Sequence, residues 1–367
     1  MQGSESPGQH ALLERCIAHC QSLLANWQLT PRVHFELEGM CIMPRAQILD
    51  LRRLNQQLAQ QCIPGEVKPE YWPGQWEYVS LLAGQTPLQE ARYIARLKQL
   101  LPNLMLQQGA QEVLLKPVVW HGSDIRYVAG SSTLFARHSG SVHIPNAIQV
   151  NVSVADVNGN NKLPDSGLGE WIQYHLLQNS YACSVLYLPE EEAFQRLKLR
   201  TEFGLDAELS SPWELSGGYQ GSIALYKEKG KHDQPLNPKP LILGAQKQPL
   251  CWNNDWQKAC RIEHRLGATS KNYDPFVNVL FILLNILDAV VSWQSGECAP
   301  TTKHRSLPAS LADSPDGIGA LRLFQEDSWF ASSIDNYCQN LTIPEISSLG
   351  QHVKQNYLKG FHPKILS

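Results

Sequence analysis

In residues 147–156, AIQVNVSVAD, apolar and polar side chains alternate without interruption from Ile148 to Val154. Successive side chains of a strand point to opposite faces, so this period of two predicts a β-strand. One face of the strand would carry Gln149, Asn151 and Ser153, and the other would carry aliphatic side chains. The chain is therefore expected to contain a sheet with an apolar face and a polar face.

Further strands and helices follow from the hydrophobic pattern along the rest of the chain. The predicted strands are 33–43, 76–83, 112–120 and 259–266, and the predicted helices are 10–27, 46–61, 89–107, 168–179, 190–201 and 274–293. Gly217 to Pro249 has no sustained period and is predicted to be a mobile surface loop. Helices of unequal length and the lack of a glycine-rich turn between strand and helix favour an α+β fold over a dinucleotide-binding fold.

The composition limits the classes of function. With 43% apolar and 18% charged residues, the 367-residue chain can bury a large core. A net charge of −3 without a basic cluster argues against nucleic acid and acidic membranes as partners. We predict no signal peptide and no membrane span, because the apolar stretch Phe276 to Val291 contains Asn278, Asn285 and Asp288. Nine cysteines without a CxxC pair fit reduced thiols in the cytoplasm, and Cys16 and Cys20 are expected to pack in the core.

Polar side chains recur at alternate positions in several predicted strands. They are Glu36 and Glu38 in FELE, Glu70 and Glu77 around a turn, Gln149, Asn151 and Ser153, and Arg261, Glu263 and Arg265 in RIEHR. Parallel carboxylates repel one another and call for a cation, and oxygen ligands in this number suit Mg²⁺ or Mn²⁺ beside a phosphate. Each group alone is more readily explained by a solvated sheet surface.

Taken together and in order, these segments resemble the glutamine synthetase family. The similar segments are Glu36-Leu37-Glu38, EYWPGQWE (70–77), Lys116-Pro117, Gln149-Val150-Asn151-Val152-Ser153, and RIEHR (261–265) followed by Asn272, Asp274 and Pro275. The resemblance implies a largely antiparallel, curved sheet flanked by helices. It also implies a catalytic domain over residues 10–294, after a disordered N-terminus (1–9) and before a linker and helical tail (295–367) that pack on the same domain.

The resemblance implies a role for each of these residues. Glu38, Glu70 and Glu77 would hold the metal nearer the carboxylate substrate, and Glu36, Glu263 and Gln149 would hold the metal that bridges the ATP phosphates. Arg261 would contact the transferred phosphoryl group, and Arg265 would bind the substrate carboxylate. The nucleotide side would be completed by Gln149, Asn151, Ser153 and Arg261, and Gln220 would stand in a flap over the site.

The departures from the family pattern concern the amine substrate and the metal. Gln149 occupies the position of a histidine ligand, and Glu214 and Gln220 occupy those of a flap arginine and a flap glutamate. No clear match to the family's N-R-x-x-x-x-R strand lies between Gln220 and Arg261. The small N-terminal domain of the family is also expected to be missing, so we expect at most a small homo-oligomer and not the large ring.

Two main hypotheses about function remain open at this point, beside other uses of the same fold such as phosphorylating a guanidine group or modifying a protein side chain. The first is a cytoplasmic ATP- and magnesium-dependent ligase that joins a small-molecule carboxylate to an amine other than ammonia, through an acyl phosphate. The second is a catalytically silent relative that acts as a binding or regulatory module. Five of the implied metal ligands are carboxylates, which are costly to bury together without function, and this favours the ligase.

Overall fold

The structure is a computed structural model, and it describes residues 7–44, 47–70, 72, 74–81, 84–121, 142–164, 166–197, 214–230, 239–246, 248–253, 258–301, 303–341 and 346–361. Its helices are α1 (Pro7–Asn26), α2 (Leu51–Gln60), α3 (Pro87–Gln107), α4 (Leu168–Ser180), α5 (Glu191–Leu197), α6 (Pro275–Gln294), α7 (Ala320–Glu326), α8 (Trp329–Tyr337) and α9 (Leu349–Lys359). A short 3₁₀ turn, Ser184–Leu186, follows α4.

The strands divide into one large sheet and three small pairs. They are β1 (Leu29–Ile42), β2 (Gly65–Pro69), β3 (Gln75–Ser80), β4 (Glu112–Leu114), β5 (Val118–His121), β6 (Val142–Pro145), β7 (Ile148–Asp156), β8 (Glu214–Leu215), β9 (Ile223–Tyr226), β10 (Lys239–Leu243), β11 (Pro249–Asn253), β12 (Arg261–His264) and β13 (Arg305–Ser306). The large sheet has the order β2-β3-β1-β7-β12-β9, with β4 also paired to β1. Every pairing between its described strands is antiparallel. The α+β prediction is confirmed.

The core lies between one face of this sheet and a layer of helices. Val33, Phe35 and Leu37 of β1 are buried on that face, and α1, α3 and α6 pack against β1. Asp50, Thr86 and Asp274 each accept a backbone N–H as the N-cap of α2, α3 and α6. Side chains at the alternate positions of β1 point to the sheet's second face, where Glu36 and Glu38 lie.

Helix α6 is long and apolar enough to cross a membrane, judged by length and composition alone. It is nevertheless mostly buried within the protein, where α1, α3 and α4 surround it. Its Asn278 and Asn285 are also buried, and Asn285 donates to Phe281 O at 2.8 Å. The helix is thus the central helix of the core.

Several predicted boundaries are wrong. The segment 112–120 is two strands, because the bend at Lys116 and Pro117 sends β4 to the large sheet and β5 to a hairpin with β6. The predicted loop Gly217–Pro249 contains β9, an edge strand of the large sheet. Strand β2 was not predicted at all. Helix α1 begins at Pro7, inside the segment 1–9 that was predicted to be disordered.

The C-terminal residues pack on the body of the protein as helices α7, α8 and α9. Asp288 of α6 accepts hydrogen bonds from Trp329 Nε1 at 2.8 Å and from Tyr337 Oη at 2.7 Å. Tyr357 Oη donates to Val185 O at 2.9 Å. The predicted linker contains β13, which pairs with β8, and the predicted division into domains otherwise stays a prediction.

Candidate active site

The register of the large sheet brings the predicted carboxylates onto one face. Glu38 lies directly opposite Glu77 between β1 and β3, and Glu36 lies opposite Gln149 between β1 and β7. Directly opposite residues of antiparallel strands point to the same side, with Cβ atoms about 4.5–5.5 Å apart. Residues from distant parts of the sequence therefore form one polar row across the sheet.

Strand β12 extends this row on the far side of β7. Glu263 lies opposite Asn151, and Arg261 lies opposite Tyr226 of β9. Arg265 follows β12 at the next position on the same face, and its backbone N–H donates to Ser222 O at 2.9 Å. The row thus holds carboxylates at its β3 and β1 end and arginines at its β12 end.

The middle of this row is buried, so it is not a solvated sheet surface. Gln149 is 4% exposed, Asn151 7% and Glu263 2%. Gln149 Oε1 and Glu263 Oε2 are both buried without a hydrogen-bond partner. An unpaired buried carboxylate oxygen is costly, and a cation bound between such oxygens would remove the cost. These two oxygens, with Glu36 on the neighbouring strand, suit a hard divalent ion.

Asn151 connects Glu36 to Arg261. Asn151 Nδ2 donates to Glu36 Oε1 at 2.9 Å, and Arg261 Nε donates to Asn151 Oδ1 at 2.7 Å. The Arg261 guanidinium also lies 5.0 Å from the centroid of the Tyr226 ring, a cation–π distance. Two contacts therefore hold Arg261 over the sheet, next to the carboxylates.

Tyr226 shares the environment of Glu263. Its side chain is 1% exposed. Burial raises the pKa of Tyr226 above its ordinary value, and the negative charge of Glu263 raises it further. The phenol therefore stays neutral and can stand beside a carboxylate without adding charge.

At the β1 and β3 end of the row, the carboxylates already have hydrogen-bond and ion-pair partners within the protein. Glu38 Oε2 accepts the backbone N–H of Ala147 at 2.7 Å. Lys68 of β2 lies opposite Glu77 in the register, and its Nζ lies 3.6 Å from Glu77 Oε2. Glu70 lies two residues beyond Lys68, on the same face, and its N–H donates to Gln75 O at 3.0 Å.

Beyond Glu38 the same face of β1 becomes apolar. A second, small hydrophobic cluster covers it, formed by Met40, Ile42, Trp72, Leu114, Val119 and Ile144. The hairpin of β5 and β6 supplies Val119 and Ile144 to this cluster. The carboxylate end of the row therefore ends against an apolar wall, which limits the access of water from that side.

The described residues contain no group of three or more His, Cys, Asp or Glu side chains close enough to hold a metal ion. The structure thus brings Glu38, Glu70 and Glu77 to one face but does not gather them into a ligand shell. That set of metal ligands stays a prediction. The fit to a metal is better at Glu36, Gln149 and Glu263, where Gln149 supplies an amide oxygen and two buried oxygens have no hydrogen bond.

The predicted flap lies next to the arginine end. Ser216 and Ser222 exchange hydrogen bonds between backbone N–H and side-chain hydroxyl, and Gly218 has a φ of +79°. These contacts fold the segment back against the end of β12. The Gln220 side chain is exposed, so its predicted role is not tested.

Sequence reasoning missed Lys68 and Tyr226. Both lie on strands that were not predicted, β2 and β9. The alternation of GEVKPE, in which Glu66, Lys68 and Glu70 share one face, was the available signal for Lys68. No comparable signal marked Tyr226, because all residues of β9 are buried.

Comparison with known proteins shows the fold of this chain. No protein-family model and no curated protein matches the sequence. Among solved structures, a protein described as a novel glutamine synthase homolog superposes with a TM-score of 0.61 at 15% identity, over 97% of this chain and 72% of that one. GmaS in complex with ADP gives 0.57 at 12% identity, over 96% and 75%. Plasmodium falciparum glutamine synthetase gives 0.58 at 11% identity, over 96% and 76%. The chain therefore has a glutamine synthetase-like fold.

Proposed function

We propose that this protein is an ATP- and Mg²⁺-dependent ligase that forms a carbon–nitrogen bond from a small-molecule carboxylate and an amine, with Mn²⁺ as an alternative ion. The observation that carries the proposal is the buried part of the row. Glu263 Oε2 and Gln149 Oε1 are buried without a hydrogen bond, Glu36 lies opposite Gln149, and Arg261 is held beside them. Glutamine synthetase homologues share the fold.

A bound divalent ion would neutralise the charge that spreads over the phosphate oxygens during transfer. Glu36, Gln149 and Glu263 are the residues that would hold it. Arg261 would bind the transferred phosphoryl group, because a guanidinium binds phosphate through two parallel hydrogen bonds. Asn151 fixes Arg261 and Glu36 relative to each other, and Ser153 lies two residues further along the same face.

Arg265 is proposed to bind the carboxylate of the substrate. It is 3% exposed and lies on the same face as Glu263. The carboxylate oxygen would take the γ-phosphoryl group and release ADP, and the amine nitrogen would then attack the carbonyl carbon and release phosphate. The apolar wall at Met40 and Trp72 would slow the competing attack by water.

The amine is proposed to differ from ammonia. Gln220, which stands where the family resemblance places a glutamate, is neutral and exposed, so it is poorly suited to take a proton from ammonium. The described cysteines form no disulfide, which suits the reduced thiols of a cytoplasmic protein. We also propose that the protein forms a small homo-oligomer.

Hydroxylamine tests the acyl phosphate without knowledge of the natural amine. The protein is incubated with ATP, Mg²⁺, hydroxylamine and one carboxylic acid at a time, and hydroxamate and ADP are both measured. The proposal predicts that at least one acid gives the two products in equal amounts, and that Arg265→Met loses this reaction. ADP release without hydroxamate for every acid would show phosphate transfer to water and would contradict the ligase.

A silent binding module is the second candidate, and one observation favours it. No three His, Cys, Asp or Glu side chains of the described residues gather into a ligand shell. Such a protein would bind no nucleotide in a metal-dependent way, so nucleotide binding separates the two candidates.

A further inference from the structure

Lys68, Glu77 and Glu38 stand side by side on three adjacent strands. The register pairs Lys68 of β2 with Glu77 of β3 and Glu77 with Glu38 of β1. The Lys68 ammonium lies 3.6 Å from Glu77 Oε2. Strand pairing fixes the three backbone positions, so the sheet itself places Lys68 beside the two carboxylates.

Two carboxylates directly opposite each other on a sheet face destabilise the pairing unless a cation offsets them. Glu77 is only 14% exposed, whereas Lys68 is 47% exposed, so the lysine reaches from the open edge of the sheet toward the less exposed carboxylate. Glu38 receives a second kind of stabilisation, from the Ala147 N–H at 2.7 Å. The protein itself thus compensates part of the charge at this end.

The opposite situation holds in the middle of the row. Gln149 Oε1 and Glu263 Oε2 are buried without a hydrogen bond, and no lysine lies opposite either residue in the register. The demand for an added cation is therefore unequal along the row. Glu263 Oε2 has no hydrogen-bond partner although Arg261 and Arg265 flank Glu263 on the same face, whereas Lys68 Nζ already lies 3.6 Å from Glu77 Oε2.

We infer that Lys68 is a resident cation of the polar row. Its ammonium group occupies the Glu38–Glu77 end in place of a divalent ion. The inference rests on the proposed function only in treating the row as the active site. Its consequence is that a divalent ion enters at Glu36, Gln149 and Glu263, and that an ion at Glu38, Glu70 and Glu77 must first displace the lysine.

Counting bound Mn²⁺ on the full chain tests this inference. Electron paramagnetic resonance measures the Mn²⁺ left in solution, in low salt and without nucleotide, for wild type, Lys68→Met and Lys68→Arg. The Lys68→Met protein is expected to bind one Mn²⁺ per chain more than wild type, because three carboxylates lose their cation. Lys68→Arg keeps the charge and should bind as wild type does.

Two further variants locate the additional ion. Lys271→Met removes the same charge at an exposed position elsewhere and should not change the count. Lys68→Met combined with Glu77→Gln should lose the additional ion. The melting temperature of Lys68→Met should be below that of wild type without metal and should recover with Mn²⁺, which also shows that the variant folds.

The inference is overturned if Lys68→Met and wild type bind the same number of ions, or if the additional ion persists in the double variant. Failure of the proposed function has a different signature. In that case wild type would not bind ATP in a metal-dependent way, whatever the Mn²⁺ count of the Lys68 variants.

Discussion

Arg261 Nε donates to Asn151 Oδ1 at 2.7 Å, and this bond links the guanidinium to the carboxylate of Glu36 on a strand two places away in the sheet. Asn151 is 7% exposed, so water cannot readily replace either contact. The arginine proposed to bind phosphate and the glutamate proposed to bind the metal are thus held at a fixed separation by a single amide.

The variant Asn151→Ala is expected to lose this positioning. Hydrogen bonds to charged groups contribute about 1.5–3 kcal/mol each, so we expect the unfolding free energy to fall by about 2 kcal/mol. The kcat for ADP formation should fall by about a hundredfold, while the KM for ATP changes by less than about fivefold. Asn151→Asp keeps the acceptor for Arg261 and adds a negative charge beside Glu36. The position of Arg261 should therefore be kept, and the KM for the amine should not change. If Asn151→Ala lowers stability and leaves kcat unchanged, the contact is only structural.

Glu263→Gln tests the buried carboxylate. The amide keeps the size of the side chain but removes the charge that would hold the ion, so the affinity for Mg²⁺-ATP should fall by about tenfold or more. Circular dichroism should show an unchanged fold. Glu297→Gln is the matched control, because Glu297 is exposed and lies outside the row. Equal losses in the two variants would contradict a specific role for Glu263.

Much of this site could be predicted because alternation along a strand is a local property. The period of two in AIQVNVSVAD and FELE placed Gln149, Asn151 and the two glutamates on common faces. The order of the strands in the sheet was not accessible from the pattern, since it depends on pairing between distant segments. The strand Ile223–Tyr226 was missed because it is short and buried on both faces, so no alternation distinguishes it from the surrounding polar segment.

A pH dependence of stability is expected from His175 of α4. Its ring Nε2 lies 2.9 Å from Ser292 Oγ of α6. Burial lowers the pKa of His175 below its ordinary value of 6.5, and the charge of Asp288 offsets this only in part. As the pH falls through about 6.5, the unfolded chain takes up a proton that the folded protein resists. Stability is therefore fully present above that pH and decreases below it.

Urea unfolding at pH 8, 6.5 and 5 measures this effect. Wild type should lose more unfolding free energy over this range than His175→Gln, because glutamine stays neutral and keeps a donor for Ser292. Parallel pH profiles for the two proteins would show that His175 does not contribute.

The anchoring of the C-terminal helices gives a prediction that is independent of the site. Asp288 accepts from both Trp329 and Tyr337, and burial raises the pKa of Tyr337 above its ordinary range. Asp288→Ala leaves both donors without an acceptor, so we expect a loss of about 2–4 kcal/mol of unfolding free energy. Limited proteolysis should then cut the segment 295–341 faster than in wild type. Unchanged cleavage would mean that other contacts hold the tail.

Glutamate with ammonium is expected to be a poor substrate pair. Gln220 is exposed and neutral, so no flap carboxylate is available there to deprotonate ammonium. Glutamine formation by the purified protein is followed by chromatography, beside a panel of larger amines. Glutamine formation as fast as the reaction with the best amine of the panel would show that the predicted change of substrate is wrong.

Calorimetric titration of ATP, with Mg²⁺ and with a chelator in its place, measures the metal dependence on which the proposed chemistry depends. Without a divalent ion the phosphates would face Glu36 and Glu263 directly, so the account predicts saturable binding in Mg²⁺ and at least about tenfold weaker binding in the chelator. The Glu263→Gln variant should reduce the difference between the two titrations. Equal affinity in both solutions, or no binding at any Mg²⁺ concentration, would contradict the ligase and favour the silent binding module.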